Sequence, residues 1–406
     1  MLKKIIPCIL ILGIIPCDPA LFTIYKNPEM GEMILRGLNL LVCAISAFYV
    51  LIYAQKKHIY GSIVTKYTMY FFALIILNSI GTMLSGEILS SNSRTMSLIC
   101  LCAYYLYGLF VFRDAHSLVK SINITLLILI AMSFILYYTN YEDVTYIENA
   151  TSRYFKGVAT NRNSYAEISL FYIASNLYLW EKSKKHSLYY IITTALAVYT
   201  TFLTHSATAT ICVVLLIALV LLYKTTKKTL PFKTLIIGYA VLFVFLIIIQ
   251  SGNIPFLSDV IKYFQKDTSL TGRTDIWKIA MNLISEHLIF GRGFDTNSML
   301  ASGVIENDPH NGILYMLLTQ GLVGTIMFFG MFFKTITMAK KTINDNILFS
   351  YMYIFIVVWM VRGFTESAFT YTHFIFWIAI IVIEMLIKER KKEEMYEEIS
   401  YEKKLY

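Results

Sequence analysis

The sequence predicts an all-α integral membrane protein with about twelve transmembrane helices and a large outer loop that carries short surface helices. Three observations predict it. Of the 406 residues, 57% are hydrophobic and 15% are charged, too apolar a balance for a soluble chain of this length. The apolar residues are gathered into runs long enough to span a bilayer, for which roughly 20 residues are needed. Positive charge returns in short clusters at every second connection between runs, as topology rules require of cytoplasmic loops.

The runs fall near 5–24, 33–54, 67–85, 95–112, 122–138, 164–180, 187–204, 206–223, 234–250, 312–333, 347–365 and 371–387 within a single membrane domain, 1–406. The first follows Met1-Leu-Lys-Lys and reads either as a signal peptide or as a retained span. A retained span is the expectation, because no small-residue cleavage site follows and Pro16-Cys17-Asp18 interrupts the run. With the N-terminus inside, the basic connections are those bearing Lys56, Lys57 and Lys66, then Arg113 and Lys120, then Lys182, Lys184 and Lys185. Lys224, Lys227, Lys228 and Lys233 follow, then Lys334, Lys340 and Lys341, and the tail from Lys388. Both termini are therefore expected in the cytoplasm. The net charge of +9 is explained by these clusters and not by a nucleic-acid surface. The six cysteines (Cys8, Cys17, Cys43, Cys100, Cys102, Cys212) lie inside apolar runs without zinc-site spacing and read as small apolar residues.

Two connections break the pattern of short loops, 140–163 and 251–311, and both fall outside. Long polar connections in a compact protein usually carry function. The second contains Ile276, Ile279, Ala280, Leu283 and Ile284 at helical spacing, which predicts an amphipathic helix lying along the membrane surface.

Under this topology the two cations are sorted. Arg36, Arg94, Arg153, Arg162, Arg273, Arg292 and Arg362 lie outside, and only Arg113 and Arg390 lie inside, whereas the lysines are overwhelmingly inside. A guanidinium presents a planar fork of donors suited to phosphate or carboxylate oxygens, so outer arginines suggest an anionic ligand. Arg273 opens the surface helix in Thr271-Gly-Arg-Thr-Asp-Ile-Trp277, with Thr274 expected as the N-cap. A cation there opposes the helix dipole unless an anion binds at the same helix start; the other reading is a solvated arginine beside Asp275. His310, in Asn307-Asp-Pro-His-Asn-Gly312, marks the start of the tenth span. The positive helix end disfavours imidazolium and keeps the ring able to accept a proton, although a lone histidine there also serves as a cap. Asp308 and Asn311 read as residues that cap and orient it. Arg362 and Glu366, four residues apart near the outer end of the eleventh span, are expected to form an ion pair. His205, in Leu203-Thr-His-Ser-Ala207, sits at another outer boundary and reads as lining the same cavity or as a polar helix end.

Together these segments resemble the O-antigen ligase and O-antigen polymerase superfamily of bacterial surface glycans. The resemblance is carried by Arg153-Tyr-Phe-Lys-Gly-Val-Ala-Thr-Asn-Arg-Asn163, Leu203-Thr-His-Ser-Ala-Thr208, Gly272-Arg-Thr-Asp-Ile-Trp277 with Gly291-Arg-Gly293, and Pro309-His-Asn311 with Gly321-Leu-Val-Gly324. It is strongest from about Arg153 to Phe328; the first five spans match only in hydropathy. One departure is that family members commonly carry an arginine where Ala207 follows Ser206, so that role is absent or has moved, with His205 as the nearest substitute.

The resemblance implies an inverting glycosyltransferase that needs no metal or other cofactor and takes an undecaprenyl-diphosphate-linked oligosaccharide as donor. The reaction would face the periplasm from the bacterial inner membrane. It implies that Arg273, partnered by Arg153 or Arg162, binds the donor diphosphate, and that His310 is the general base. Asn311, Glu366, His205 and Arg362 would orient or contact sugar. Membrane lipid is a partner, with a chain-length regulator and a flippase of the same pathway as further ones; nucleic acid is not. A repeat-unit polymerase is favoured over a ligase that transfers polymer to lipid A-core, and their donor chemistry is shared. The rival from another class is a flippase of lipid-linked sugars, which would place broken helices and charges at mid-depth.

Overall fold

The computed structural model describes residues 28–57, 64–85, 92–112, 114–149, 152–183, 186–244, 273–293, 308–370 and 373–405. The expected first span at 5–24, Arg113, and the stretches 251–272 and 294–307 of the large loop lie outside the described residues. The described chain is mostly helical: α1 (Pro28–Lys57), α2 (Lys66–Leu84), α3 (Asn92–Phe110), α4 (Ala115–Thr139), α5 (Arg162–Ser183) and α6 (Ser187–Phe202) are followed by α7 (Ala207–Thr226), α8 (Phe232–Phe243), α9 (Arg273–Glu286), α10 (Gly312–Thr342), α11 (Ile347–Arg362) and α12 (Phe374–Leu405). All but α9 fall on the apolar runs read from the sequence, and α9 is the amphipathic helix expected in the large loop.

Five helices, α1, α2, α4, α7 and α10, are long and apolar enough to cross a membrane, while α3, α6, α8 and α11 are apolar but shorter. α5 is the most polar of the central helices, yet every residue from Tyr165 to Leu179 is buried. A helix covered all round can carry polar groups because protein, and not lipid, receives them. It packs against α4, α6 and α11. α11 is likewise buried from Leu348 to Met360, so α5 and α11 form the centre of the bundle. On its other side Trp377 of α12 packs edge-on against Phe71 of α2, with ring centroids 5.0 Å apart.

The loop after α4 is not structureless. A 3-10 turn at Tyr141–Val144 leads into an antiparallel hairpin, β1 (Thr145–Asn149) and β2 (Ser152–Phe155). Val144 and Phe155 are buried, and Phe155 meets Tyr137 and Tyr165 edge-on at 5.3 and 5.1 Å. These apolar anchors fasten the hairpin over the junction of α4 and α5. Strand periodicity is too short here to stand out in sequence.

α10 is broken at Gly321, whose φ of 61° and ψ of −168° are not helical. The segment after α9 splices the break. Leu318 O and Thr319 O, which in an unbroken helix accept from residues 322 and 323, accept instead from Arg292 N–H (2.7 Å) and Gly293 N–H (2.8 Å). Leu322 N–H and Val323 N–H donate to Leu288 O (2.9 Å) and Ile289 O (3.2 Å). Four backbone groups at the break are thereby paired, as a helix interrupted within apolar surroundings requires. The splice fits only because glycines meet: a Cβ on Gly291 would lie 2.6 Å from Gly321 N, and one on Gly81 of α2 would lie 2.6 Å from Gly293 N. Gly-Arg-Gly and Gly-Leu-Val-Gly are thus two halves of one joint.

Gly321→Ala should destabilise the purified protein by roughly 2–4 kcal/mol, combining left-handed strain with overpacking against Ile289 O. Gly330→Ala on the same helix, where a Cβ meets nothing within 4 Å, should be neutral or stabilising by up to about 1 kcal/mol. Thermal unfolding in detergent measures both; equal effects would show that the splice is not tightly packed.

Candidate functional site

The two ends of the bundle differ. At one, lysine-bearing helix ends are tied together: Lys66 Nζ lies 2.8 Å from Glu384, Lys227 Nζ 3.3 Å from Glu181, and Lys340 Nζ donates to Leu230 O at 2.7 Å. At the other, the starts of α5, α7, α10 and α12 meet the end of α11, and the residues there are acidic, amide and imidazole groups.

The foundation of that end is an ion pair. Arg362 and Glu167 are 2% and 1% exposed, and Arg362 Nη2 donates to Glu167 Oε1 at 2.9 Å. His373 Nδ1 approaches the same oxygen at 2.6 Å. Arg362 Nη2 also lies 3.3 Å from the carbonyl oxygen of Asn163, and its guanidinium sits over the Trp359 ring at 4.8 Å. Desolvated charges are tolerated only when paired, so this contact pins α5, α11 and the entry to α12 in one arrangement.

The expected Arg362–Glu366 pair is not formed. α11 ends at Arg362 and the chain turns through Gly363, with Glu366 N–H bonded to Arg362 O at 3.0 Å. The four-residue rule holds along a continuing helix, and here the helix has stopped. Glu366, 6% exposed, turns elsewhere. Its Oε1 accepts from Asn163 Nδ2 at 2.9 Å, and its Oε2 lies 3.7 Å from His310 Nδ1. The latter is an ion-pair distance, longer than a hydrogen bond.

His310 occupies a left-handed backbone conformation, φ 48°, which costs a non-glycine residue roughly 1–2 kcal/mol. Three contacts enforce it. Its N–H donates to Asp308 Oδ1 at 2.7 Å, Ser367 Oγ donates to the same oxygen, and Pro309 O accepts from the Trp277 indole at 2.9 Å. The side chain is 22% exposed, so the imidazole sits at the rim of the buried cluster. Asn311 is completely buried and caps α10, accepting from Ile313 N–H and Leu314 N–H at 3.1 and 3.0 Å while donating to Phe364 O at 3.2 Å. Both ends of its amide are engaged in holding the helix start.

Arg273 is the first residue of α9, and Thr274, expected as its N-cap, lies inside the first turn. Trp277 follows one turn later and ties α9 to the Pro-His-Asn segment. Trp277, Ala280, Leu283 and Ile284 pack on Leu314 and Leu318 of α10, so position 273 is held one turn beyond the indole–Pro309 bond. Arg162 lies over the Tyr154 ring at 4.3 Å and immediately precedes Asn163. Arg153 faces outward on the hairpin, 3.5 Å from the exposed Glu142. Arg36 and Arg292 pair with Glu32 (3.1 Å) and Glu286 (2.8 Å). Several of the arginines expected outside are therefore engaged by the protein's own carboxylates. His205 is exposed, with a left-handed φ of 49°; its neighbour Ser206 is the residue that reaches inward, donating from Oγ to Asn163 Oδ1 at 3.2 Å.

Sequence reasoning missed Glu167, His373, Ser206, Ser367 and the part played by Asn163. Glu167 had a readable signal, a carboxylate within an apolar run, where ionisable groups mark buried pairs or sites. His373 and Ser367 had none, since their partners lie 206 and 59 residues away.

A bundle of apolar helices with a buried ionic cluster at one end defines a polytopic integral membrane protein with a polar site at a helix-end junction. The family model described as O-antigen ligase matches residues 192–329, from within α6 through the splice of α10, and so includes His205, Arg273 and His310. Over that segment the chain is similar to the O-antigen ligase family, in line with the resemblance its motifs carry. Members of that family are glycosyltransferase-like enzymes. No curated protein matches the chain.

Arg362→Met should destabilise the protein by roughly 3–5 kcal/mol, because the buried Glu167 would lose its guanidinium and keep only the His373 imidazole as a partner. The double substitution Arg362→Met with Glu167→Leu should recover most of that loss. Thermal unfolding in detergent checks this, and a double variant no more stable than the single one would contradict it.

Proposed function

We propose that this chain is a repeat-unit polymerase of a surface polysaccharide, an O-antigen, capsule or exopolysaccharide. It would transfer a glycan from undecaprenyl diphosphate to an acceptor sugar hydroxyl at the outer face of the bacterial inner membrane. The observation that carries the reading is the convergence of His310, Glu366 and Asn163 beside the α9 start, with His310 and α9 in the segment that matches O-antigen ligase. The lysine-tied end of the bundle is assigned to the cytoplasm by the positive-inside rule, which leaves the His310 end outside and both termini inside.

In this reading the acceptor hydroxyl oxygen attacks the anomeric carbon from the face opposite the diphosphate. The bond to the phosphate oxygen breaks with its electron pair leaving on the diphosphate, and the hydroxyl proton passes to His310. Glu366, at 3.7 Å, stabilises the imidazolium that forms. Charge developing on the diphosphate is met by Arg273 and the N–H groups of the α9 start, with Arg162 as partner from the start of α5 and Arg153 further out on the hairpin. Arginines in these positions supply the neutralisation that many transferases draw from a divalent ion, so no metal is invoked. His205 remains a candidate for sugar contact at the exposed rim. A chain-length regulator and a flippase are the expected partners of such an enzyme.

A ligase using the same donor is the second reading, and the description of the matching family favours it. The two differ only in the acceptor. Deleting the gene and resolving surface glycan on a gel separates them: single repeats on core indicate a lost polymerase, and polymer accumulating on undecaprenyl lipid indicates a lost ligase. His310→Ala should insert normally and lose glycan transfer by about 10²-fold or more, the usual contribution of a general base. Arg273→Ala should show a comparable loss. Wild-type transfer in either variant would remove that residue from the mechanism.

A further inference from the structure

The polar end holds one feature that the proposed mechanism leaves unused. We infer that Ser206 and Asn163 form a directional hydrogen-bond relay that holds Glu366 against His310, making both of them positioning residues for the proton transfer. This inference rests on the reading of His310 as the proton acceptor.

The direction follows from donor and acceptor chemistry at each link. Ser206 is the N-cap of α7, its Oγ accepting from Ala209 N–H at 3.3 Å. With a lone pair so engaged, its hydroxyl hydrogen is directed to Asn163 Oδ1 at 3.2 Å. An asparagine amide accepts at one end and donates at the other. Fixing the oxygen at Ser206 aims the NH₂ at Glu366 Oε1, 2.9 Å away. The reverse orientation would set a carbonyl oxygen against a carboxylate. The second carboxylate oxygen, Oε2, is left facing His310 Nδ1 at 3.7 Å. The relay therefore runs from the start of α7, through the start of α5, to the turn after α11 and the start of α10.

Asn163 has no competing local duty. The start of α5 is capped by Asn161, whose Oδ1 accepts from Ser164 N–H at 2.8 Å, so the Asn163 side chain is spared for the tertiary contacts. Its backbone is held as well, its carbonyl oxygen 3.3 Å from Arg362 Nη2. Ser206 and Glu366 are buried, which keeps water from scrambling the orientation. Among the described residues, the charged and titratable groups around His310 include Asp308 on its own segment, Glu366 from the turn after α11, and the Arg362, Glu167 and His373 cluster behind Asn163. The relay also bears on the missing arginine of the family pattern: with Ala207 in that place, the serine before it acts through Asn163.

The test uses the full chain in proteoliposomes, with polyprenyl-diphosphate-linked repeat units extracted from cells lacking it. Asn163→Ala and Ser206→Gly are compared with Ser206→Thr, glycine being a tolerated N-cap without a hydroxyl and threonine keeping both cap and donor. The relay predicts that Asn163→Ala and Ser206→Gly lower kcat about tenfold, the scale of one lost hydrogen bond to a charged group, with KM little changed. Their acid limb should move to lower pH, because an oriented carboxylate no longer favours imidazolium, and Ser206→Thr should restore the wild-type profile. In a Glu366→Gln background Asn163→Ala should cost nothing further, since both act through one carboxylate. An unchanged pH limb, or full additivity with Glu366→Gln, overturns the relay while leaving His310 as base. Wild-type transfer by His310→Ala overturns both.

Discussion

The arrangement of the polar end depends on one desolvated ion pair. Arg362 and Glu167 lie almost wholly out of solvent at the meeting of α5 and α11, where a charge is tolerated only when it is paired. That requirement fixes how far α5 rises beside α11, and so where the next residues on either side fall: Asn163 one turn before Glu167, and Glu366 just beyond the end of α11. Their hydrogen bond is a consequence of the pair below it. His373, bonded to the same carboxylate, brings the start of α12 to the same point.

The second constraint is the splice of α10. A helix interrupted at Gly321 would expose backbone groups, and the segment 288–293 takes up four of them. This has a spatial result. α9 and the strand of chain after it are pinned along the first half of α10, and Trp277 is brought onto the carbonyl of Pro309. The start of α9 and His310 are therefore mechanically linked. A donor gripped at the start of α9 and an acceptor deprotonated by His310 would be referred to one rigid frame, as a reaction that depends on alignment requires.

The helices were readable in the sequence because apolar runs of the length a bilayer demands stand out from the polar connections. The motifs pointed to His310 and to the loops that approach it. What could not be read was pairing at a distance. Local spacing favoured Arg362 with Glu366, yet a partner 195 residues away in sequence took the guanidinium, and the helix stopped before the local rule applied. Asn311 was read as a residue that caps and orients, and it is found buried as the N-cap of α10. The break at Gly321 left no trace in composition, since glycine alone does not distinguish a close approach from a flexible point. The hairpin at 145–155 was hidden by its brevity.

The most direct measurement is an experimental structure of the protein with a polyprenyl-diphosphate-linked sugar bound in a lipid nanodisc. The account predicts the diphosphate at the first turn of α9, and the anomeric carbon placed so that an acceptor hydroxyl could lie about 3 Å from the His310 ring. A donor diphosphate held at the lysine-tied end of the bundle, or His310 turned away from the sugar, would contradict it.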